Sequence, residues 1–311
     1  MKIVFLGSSR FAIPSLNAIR ESADDLLAVV AMPPAPAGRG RTLTPVPAAV
    51  WAKERGVPLI ESDKINSPEI LSRIEALRPD LIAVCAYGVF LGKRLLSVGQ
   101  CPPVNIHPSL LPRHRGPAPI NWTVIRGDSE AGVSIIHLER EMDAGPILAQ
   151  RSLKLPPGAT APELEEKLAP MAGEMILGVI REIKEGKSEP KIQDGSLATS
   201  NPKLTKDDGR LDFDRPAREL ARLINGLDPW PGARALYDGM GVKLFSALTE
   251  PGEMAPGETR EPKKNETRLA VGTGKDLLLV SEFQPEGKKR MSARAFASGY
   301  LKPGKTFSRT A

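Results

Sequence analysis

The sequence predicts an α/β protein: a Rossmann-like parallel-sheet domain followed by a small OB-like β-barrel domain. Two observations carry this expectation. Over residues 1–185, short unbroken apolar runs alternate with amphipathic stretches, and strands apolar on both faces need helices covering both sides of their sheet. After residue 205 the pattern changes to one helix and several short strand-like runs separated by Gly and Pro, as in a small barrel of the kind that often carries nucleic acid. A chain of 311 residues is long enough for two cores. We therefore expect one domain over 1–185, a polar connection over 186–205 and a second domain over 206–311.

The first domain opens on an apolar strand over residues 2–7, ending in Gly7, and a helix over 11–21 follows. A second strand is expected over 26–32, helices over 48–55 and 68–77, and a continuous apolar strand over 80–86. The next strand is 104–107, just past a Pro-Pro pair. A helix over 118–126 and a hairpin of 133–138 with 147–155 come after it, and a long helix over 162–184 closes the domain. The stretch 185–201 is polar, with Gly, Pro and Ser, and reads as a connection. In the second domain a helix over 216–224 precedes strands over 233–237, 242–248, 267–271 and 277–283. In open parallel sheets, ligands bind beyond the carboxyl ends of the strands, where the strand order reverses. Residues 104–107 end at such an edge.

Composition narrows the class. Charged residues make up 26% and aromatics 5%, ordinary for a soluble protein, and no run approaches the ~20 apolar residues of a membrane span. The first apolar run, residues 3–6, turns at once into Gly and Ser and is too short for a signal peptide. Only Cys85 and Cys101 are present, so the chain suits a reducing cytoplasm and has no disulfide framework. With the cysteines far from the histidines, no zinc-ligand spacing exists, and no metal is expected. The net charge of +6 is concentrated in residues 186–311, which fits a polyanionic partner such as RNA as well as it fits a solvated surface.

The candidate chemistry centres on Asn105-Ile106-His107-Pro108-Ser109-Leu110-Leu111-Pro112. An amide and an imidazole two residues apart point the same way from an extended strand. They can grip one oxygen from two directions, as a tetrahedral acyl-transfer intermediate requires. Pro108 and Pro112 stiffen the following loop, and Arg113 and Arg115 add cationic donors. Glu139 to Pro146 is a second polar cluster, and either Asp143 or Glu141 could fold back to orient His107. Neither Ser109 nor Ser134 has the G-x-S-x-G setting of a nucleophile elbow. Gly7 with Ser8-Ser9-Arg10 lacks the G-x-G-x-x-G of a dinucleotide loop, so a tight turn is the better account. The long insertion over residues 33–45 holds Arg39 and Arg41 near the same sheet edge and offers phosphate contacts.

These residues resemble the folate-dependent formyltransferases. Asn105, His107 and Ser109-Leu110-Leu111-Pro112, with Asp143 downstream, match that family's signature. The similarity runs essentially full length, through Phe5-Leu6-Gly7, Pro36 to Gly40, Ala86-Tyr87-Gly88, Pro229-Trp230-Pro231 and Gly287-Lys288-Lys289. Within the family, the chain is similar to the members whose acceptor is initiator Met-tRNA.

The resemblance implies a catalytic domain that binds 10-formyltetrahydrofolate as formyl donor and an OB-like domain that helps hold tRNA. It makes Asn105, His107 and Asp143 catalytic. Ser109, Leu110, Leu111 and Pro112 would line the folate site, with Ala86, Tyr87 and Gly88 nearby. Arg39 matches the arginine of a loop that approaches the acceptor stem, and Arg41, Lys288 and Lys289 are the further candidate tRNA contacts. A cytoplasmic monomer without metal is expected. The chain departs from the family pattern at Ser8-Ser9-Arg10, at Ala35 and Arg41-Thr42, and at Ala144-Gly145-Pro146. A formyltransferase acting on a small amine (a nucleotide-linked amino sugar or a ribonucleotide) would use the same site but would need neither the Arg39 loop nor a basic second domain. A non-catalytic RNA-binding protein would have no use for Asn105, His107 and Asp143 together.

Overall fold

The computed structural model describes residues 1–37, 42–263 and 265–310. The chain forms two compact units. The first comprises Met1–Pro119, Glu130–Leu153 and Glu165–Asn201; the second comprises Ile120–Ser129, Lys154–Leu164 and Pro202–Ala311.

In chain order the strands of the first unit begin with β1 (Lys2–Gly7) and β2 (Asp25–Ala31), then a short hairpin of β3 (Ala35–Ala37) and β4 (Thr42–Thr44). β5 (Leu59–Glu61), β6 (Leu81–Cys85), β7 (Val104–His107), β8 (Glu130–His137) and β9 (Ile147–Lys154) follow. The main sheet has seven strands in the order β5-β2-β1-β6-β7-β8-β9. From β5 to β7 every pairing is parallel, and β8 runs antiparallel to β7. The order steps outward from β1 to β2 and β5 on one side and to β6 and β7 on the other, so the reversal lies between β1 and β6. Ile3, Val4, Phe5 and Leu6 are all fully buried, which is why β1 reads as an unbroken apolar run rather than an alternating one.

The helices are α1 (Ile13–Glu21), α2 (Pro47–Glu54), α3 (Pro68–Ala76), α4 (Lys93–Leu96), α5 (Pro119–Arg126) and α6 (Ala161–Lys184). Their starts have local causes. Pro47 and Pro68 sit in the first turns of their helices, where a missing N–H costs nothing, and the Ser67 hydroxyl caps α3 by accepting from Ile70 N. Gly7 has a packing reason rather than a phosphate-binding one. A Cβ there would lie 2.7 Å from the Phe5 ring and 2.9 Å from the Cys85 carbonyl, so only glycine lets β1 and β6 pair this closely.

In the second unit, β10 (Ala233–Tyr237), β11 (Met240–Glu250), β12 (Thr259–Arg260), β13 (Leu269–Gly272), β14 (Leu277–Pro285), β15 (Met291–Ser292) and β16 (Phe307–Ser308) accompany α7 (Ala217–Gly226) and α8 (Ala293–Tyr300). The sheet order is β12-β13-β14-β11-β10-β16, with β15 against β14, and every pairing is antiparallel. Phe307 N donates to the Gly257 carbonyl at 2.8 Å, two residues ahead of β12, so the two edges of the sheet meet and the barrel nearly closes. Inside it, Phe307 packs against Tyr237 and Phe213 at ring separations of 4.9 and 5.7 Å, and Phe283 stacks on Phe296 at 4.5 Å.

Three features differ from the sequence expectation. Residues 186–201, expected as a connection, run along the first unit: Ile147 and Lys191 exchange backbone hydrogen bonds of 2.7 and 2.8 Å, and Thr199 and Asn201 bond to the backbone of Arg115. Residues 120–129, which include most of α5, and 154–164 group with the second unit. The short strands β3, β4, β5, β12, β15 and β16 and helices α4 and α8 lie outside the sequence expectation. Among the described residues no helix is long and apolar enough to cross a membrane.

Phe307 joins the barrel edges and its aromatic core, so Phe307→Ala should destabilise the second unit by about 3–5 kcal/mol. Urea denaturation of the full chain, with hydrogen exchange at β10 and β12 as the local readout, measures this. A loss below about 1 kcal/mol, within the range of an ordinary surface change, would contradict the closure.

Candidate active site

β7 delivers the first two residues of the site. Val104 and Ile106 are buried in the core, so strand alternation sends Asn105 and His107 to the opposite face. Their cross-strand neighbours on β8 are Ile136 and Ser134. The chain leaves the sheet at Pro108 and turns at once: Ser109 N donates to the His107 carbonyl at 2.9 Å, and the Ser109 hydroxyl donates to the Arg113 carbonyl at 2.8 Å.

Asp143 arrives from the loop between β8 and β9 and faces both residues. Its Oδ1 accepts from Asn105 Nδ2 at 3.3 Å. Its Oδ2 lies 3.7 Å from His107 Nδ1 and accepts from the backbone N–H of Gly116 at 2.8 Å. The side chains of His107 and Asp143 are 6% and 11% exposed. His107 Nε2 is 2.9 Å from the His114 carbonyl, and a carbonyl can only accept, so Nε2 carries a proton. Nδ1 is therefore the ring nitrogen left to face Asp143 and a reacting group. Glu141, the other candidate from spacing, is mostly exposed and pairs with Arg115 at 3.2 Å instead.

The turn that presents Asp143 is tightly determined. Asp143 has φ +53°, in the left-handed region, and two residues on, Gly145 has no room for a side chain. A Cβ at Gly145 would run into the His137 carbonyl oxygen. His137 N donates back across the loop to the Pro146 carbonyl at 3.0 Å. Burial pulls the His137 pKa below its usual value, against smaller opposing effects of backbone hydrogen bonding, so this imidazole stays neutral at pH 7.

The Ser109–Pro112 loop rests on two side chains that sequence reasoning did not assign. Ser134 Oγ donates to the Ser109 carbonyl at 2.7 Å and accepts from Leu111 N at 3.1 Å. Gln150 Nε2 donates to the Leu111 carbonyl and to Ser134 Oγ, both at 2.8 Å. Leu111 is buried, whereas Leu110 and Pro112 are half-buried and offer apolar surface beside the site.

The Ala86–Gly88 segment leaves the end of β6, at the reversal of strand order. Ala86 and Gly88 are exposed with φ of +49° and +91°. Tyr87 is buried between them, donating its hydroxyl to the Ser62 carbonyl at 2.7 Å, and burial, helped by Asp63, pushes its pKa up to about 12. Tyr87 is thus a neutral prop, and its neighbours form the surface. Ser8 ties the neighbouring strand ends together. Its N–H donates to the Ala86 carbonyl, its hydroxyl donates to the Tyr87 carbonyl, and the same hydroxyl accepts from Met32 N at 3.1 Å.

Lys288 and Lys289 are exposed on the turn after β14 in the second unit. Arg39 and Arg41 lie outside the described residues.

Residues of the 186–201 segment complete the surroundings. The Thr199 hydroxyl accepts from His114 N at 2.8 Å, and Asn201 Nδ2 donates to His114 Nδ1 at 3.1 Å. Gln193, also buried, bonds to the Asp143 loop. These polar residues sit in a stretch whose composition reads as linker, with no periodic signal to mark them.

An amide, an imidazole and a carboxylate thus gather at the carboxyl end of β7, an arrangement that can stabilise charge on one oxygen in a group transfer. Residues 1–180 match the formyl transferase model and residues 203–301 match that of the formyl transferase C-terminal domain, so the chain belongs to the formyl transferase family and is an enzyme of that class. It is 40% identical to the methionyl-tRNA formyltransferase of Desulfotalea psychrophila, over 96% of this chain and 93% of that protein. Among solved structures, HypX from Aquifex aeolicus in complex with tetrahydrofolic acid is similar with a TM-score of 0.67 at 20% identity, over 97% of this chain and 48% of that one. Methionyl-tRNA formyltransferase from Clostridium thermocellum gives a TM-score of 0.56 at 16% identity, over 80% and 94% of the two chains. At these identities the two structures establish the shared fold.

Gly145→Ala should force the His137–Gly145 contact apart and displace Asp143. Lost formyl transfer, together with an altered His107 imidazole signal in NMR, is the expected result. A variant with wild-type turnover would show that the turn relaxes without moving the carboxylate.

Proposed function

We propose that this enzyme transfers the formyl group of 10-formyltetrahydrofolate to the α-amine of methionine on initiator Met-tRNA, for translation initiation. The observation that carries the reading is the convergence of Asn105, His107 and Asp143, in a chain similar over nearly its whole length to proteins named methionyl-tRNA formyltransferase. The bound folate supplies the formyl group.

The half-buried Leu110 and Pro112 and the exposed Ala86 and Gly88 at the end of β6 are the folate-site residues of this reading, offering apolar side chains and backbone to the faces and polar edges of a flat ring. Ser109 acts by shaping that loop, since its hydroxyl is committed to the Arg113 carbonyl. As the amine attacks the formyl carbon, negative charge builds on the formyl oxygen. Asn105 Nδ2 has a second hydrogen beyond the one directed at Asp143, and His107 Nδ1, when protonated, is the other donor; together they stabilise that oxygen. Asp143 holds the imidazole and takes the proton released by the amine, directly or through water. The oxyanion then collapses, the bond between the formyl carbon and N10 breaks, and the proton passes from Asp143, directly or through water, to N10 of the departing tetrahydrofolate.

The tRNA acceptor is supported by the basic surplus of residues 186–311 and by the barrel with its exposed Lys288 and Lys289. Arg39 is the loop residue that this reading brings to the acceptor stem, and Arg41 is a further candidate tRNA contact.

Asn105→Ala and His107→Ala should each lower kcat for formylation of Met-tRNA by roughly 10²–10³-fold, as loss of one oxyanion donor does. Near-normal turnover in either variant sinks the assignment. For Arg39→Ala, kcat/KM toward Met-tRNA should fall more steeply than affinity for folate. Equal losses in the two would remove Arg39 from the tRNA surface.

A further inference from the structure

The two family matches end at residue 180 and resume at residue 203, and the segment between them contributes a side chain to the catalytic turn. Gln193 is 8% exposed and uses every polar position it has. Its Nε2 donates to the Asp143 carbonyl and to the Gly145 carbonyl, each at 2.7 Å. Its Oε1 accepts from Arg115 Nε at 3.2 Å and from Arg115 Nη2 at 3.0 Å. Arg115 in turn reaches Glu141 at 3.2 Å, within the same loop.

We propose that Gln193 is a positioning residue for Asp143. The inference rests on the reading that Asp143 and His107 are reacting groups. One amide nitrogen bridges the carbonyls of residues 143 and 145, which pins both ends of the turn in which Asp143 takes φ +53°. With the backbone fixed there, the carboxylate can reach Asn105 Nδ2, Gly116 N and His107 Nδ1 together. Only a primary amide offers two donors and an acceptor in one plane at this reach, which is why glutamine fits where an apolar residue of similar size would strand one buried and one partly buried carbonyl. Displacement of a catalytic group by about 1 Å costs on the order of 10²-fold in rate, so a residue with no contact to substrate can govern turnover.

The test compares Gln193→Leu, Gln193→Glu and Asp143→Ala in the full-length enzyme, with Met-tRNA and 10-formyltetrahydrofolate as substrates. Gln193→Glu keeps the volume and the contact with Arg115 but removes both donated bonds. The expected result is a fall in kcat of about 10- to 100-fold in both Gln193 variants, with KM for either substrate changed far less. The NMR signals of the His107 ring should change in both, an effect that a space-filling role for Gln193 would not produce. On the Asp143→Ala background, adding Gln193→Leu should cost nothing further.

If Asp143→Ala loses turnover while Gln193→Glu keeps wild-type kcat and unchanged His107 ring signals, the positioning role is overturned and the catalytic reading stands. If Asp143→Ala itself keeps turnover, the catalytic reading fails and takes the positioning role with it. Should Gln193→Leu not fold, Gln193→Glu decides by the same two readouts.

Discussion

The first unit's functional edge depends on one carboxylate being held in place. Asp143 collects an amide and an imidazole from β7 and a backbone N–H from the loop after it, so two otherwise separate pieces of chain are registered against a side chain from a third. Such a group is costly to place with little exposure unless its lone pairs are matched by donors, and here the donors double as the machinery it orients. The loop geometry follows from this requirement. Asp143 adopts a left-handed backbone conformation, Gly145 lies flat against the His137 carbonyl, and Gly116 turns its N–H inward. The left-handed conformation of Asp143 is unfavourable alone and is held by these partners, while glycine adopts the other two positions without steric cost.

Much of this was legible in the sequence because the signals are local. Asn105 and His107 are two apart on a strand, so their shared face follows from the pleat without any knowledge of the rest of the fold. Unbroken apolar runs at β1 and β6 announce a doubly covered sheet, and the Gly- and Pro-separated runs after residue 205 announce the barrel. Asp143 could be narrowed only to a pair with Glu141. The choice between them is made by the turn, in which the left-handed Asp143 faces inward and Glu141 stays exposed, paired with the largely buried Arg115.

What escaped the sequence was long-range or too short to have a period. β5 has three residues and β12, β15 and β16 have two each, lengths at which alternation carries no information. Gln193, Thr199 and Asn201 act through backbone and imidazole partners dozens of positions away, and their surroundings have the Gly, Pro and Ser content of a connection. Helix α8 did offer a local sign in Ser292, whose hydroxyl caps it by accepting from Ala295 N, but the basic run before it resembles solvated loop.

The course of residues 186–201 bears on how such enzymes can be cut and recombined. A boundary drawn at residue 185, where the last long helix ends, would give a fragment that keeps Asn105, His107 and Asp143 yet leaves the His114 and Asp143 loops without their outer partners. In a chimera that borrows the barrel of another family member, the donor sequence should begin after Asn201. Modularity in this chain is set by where the backbone hydrogen bonds stop rather than by where the regular structure does.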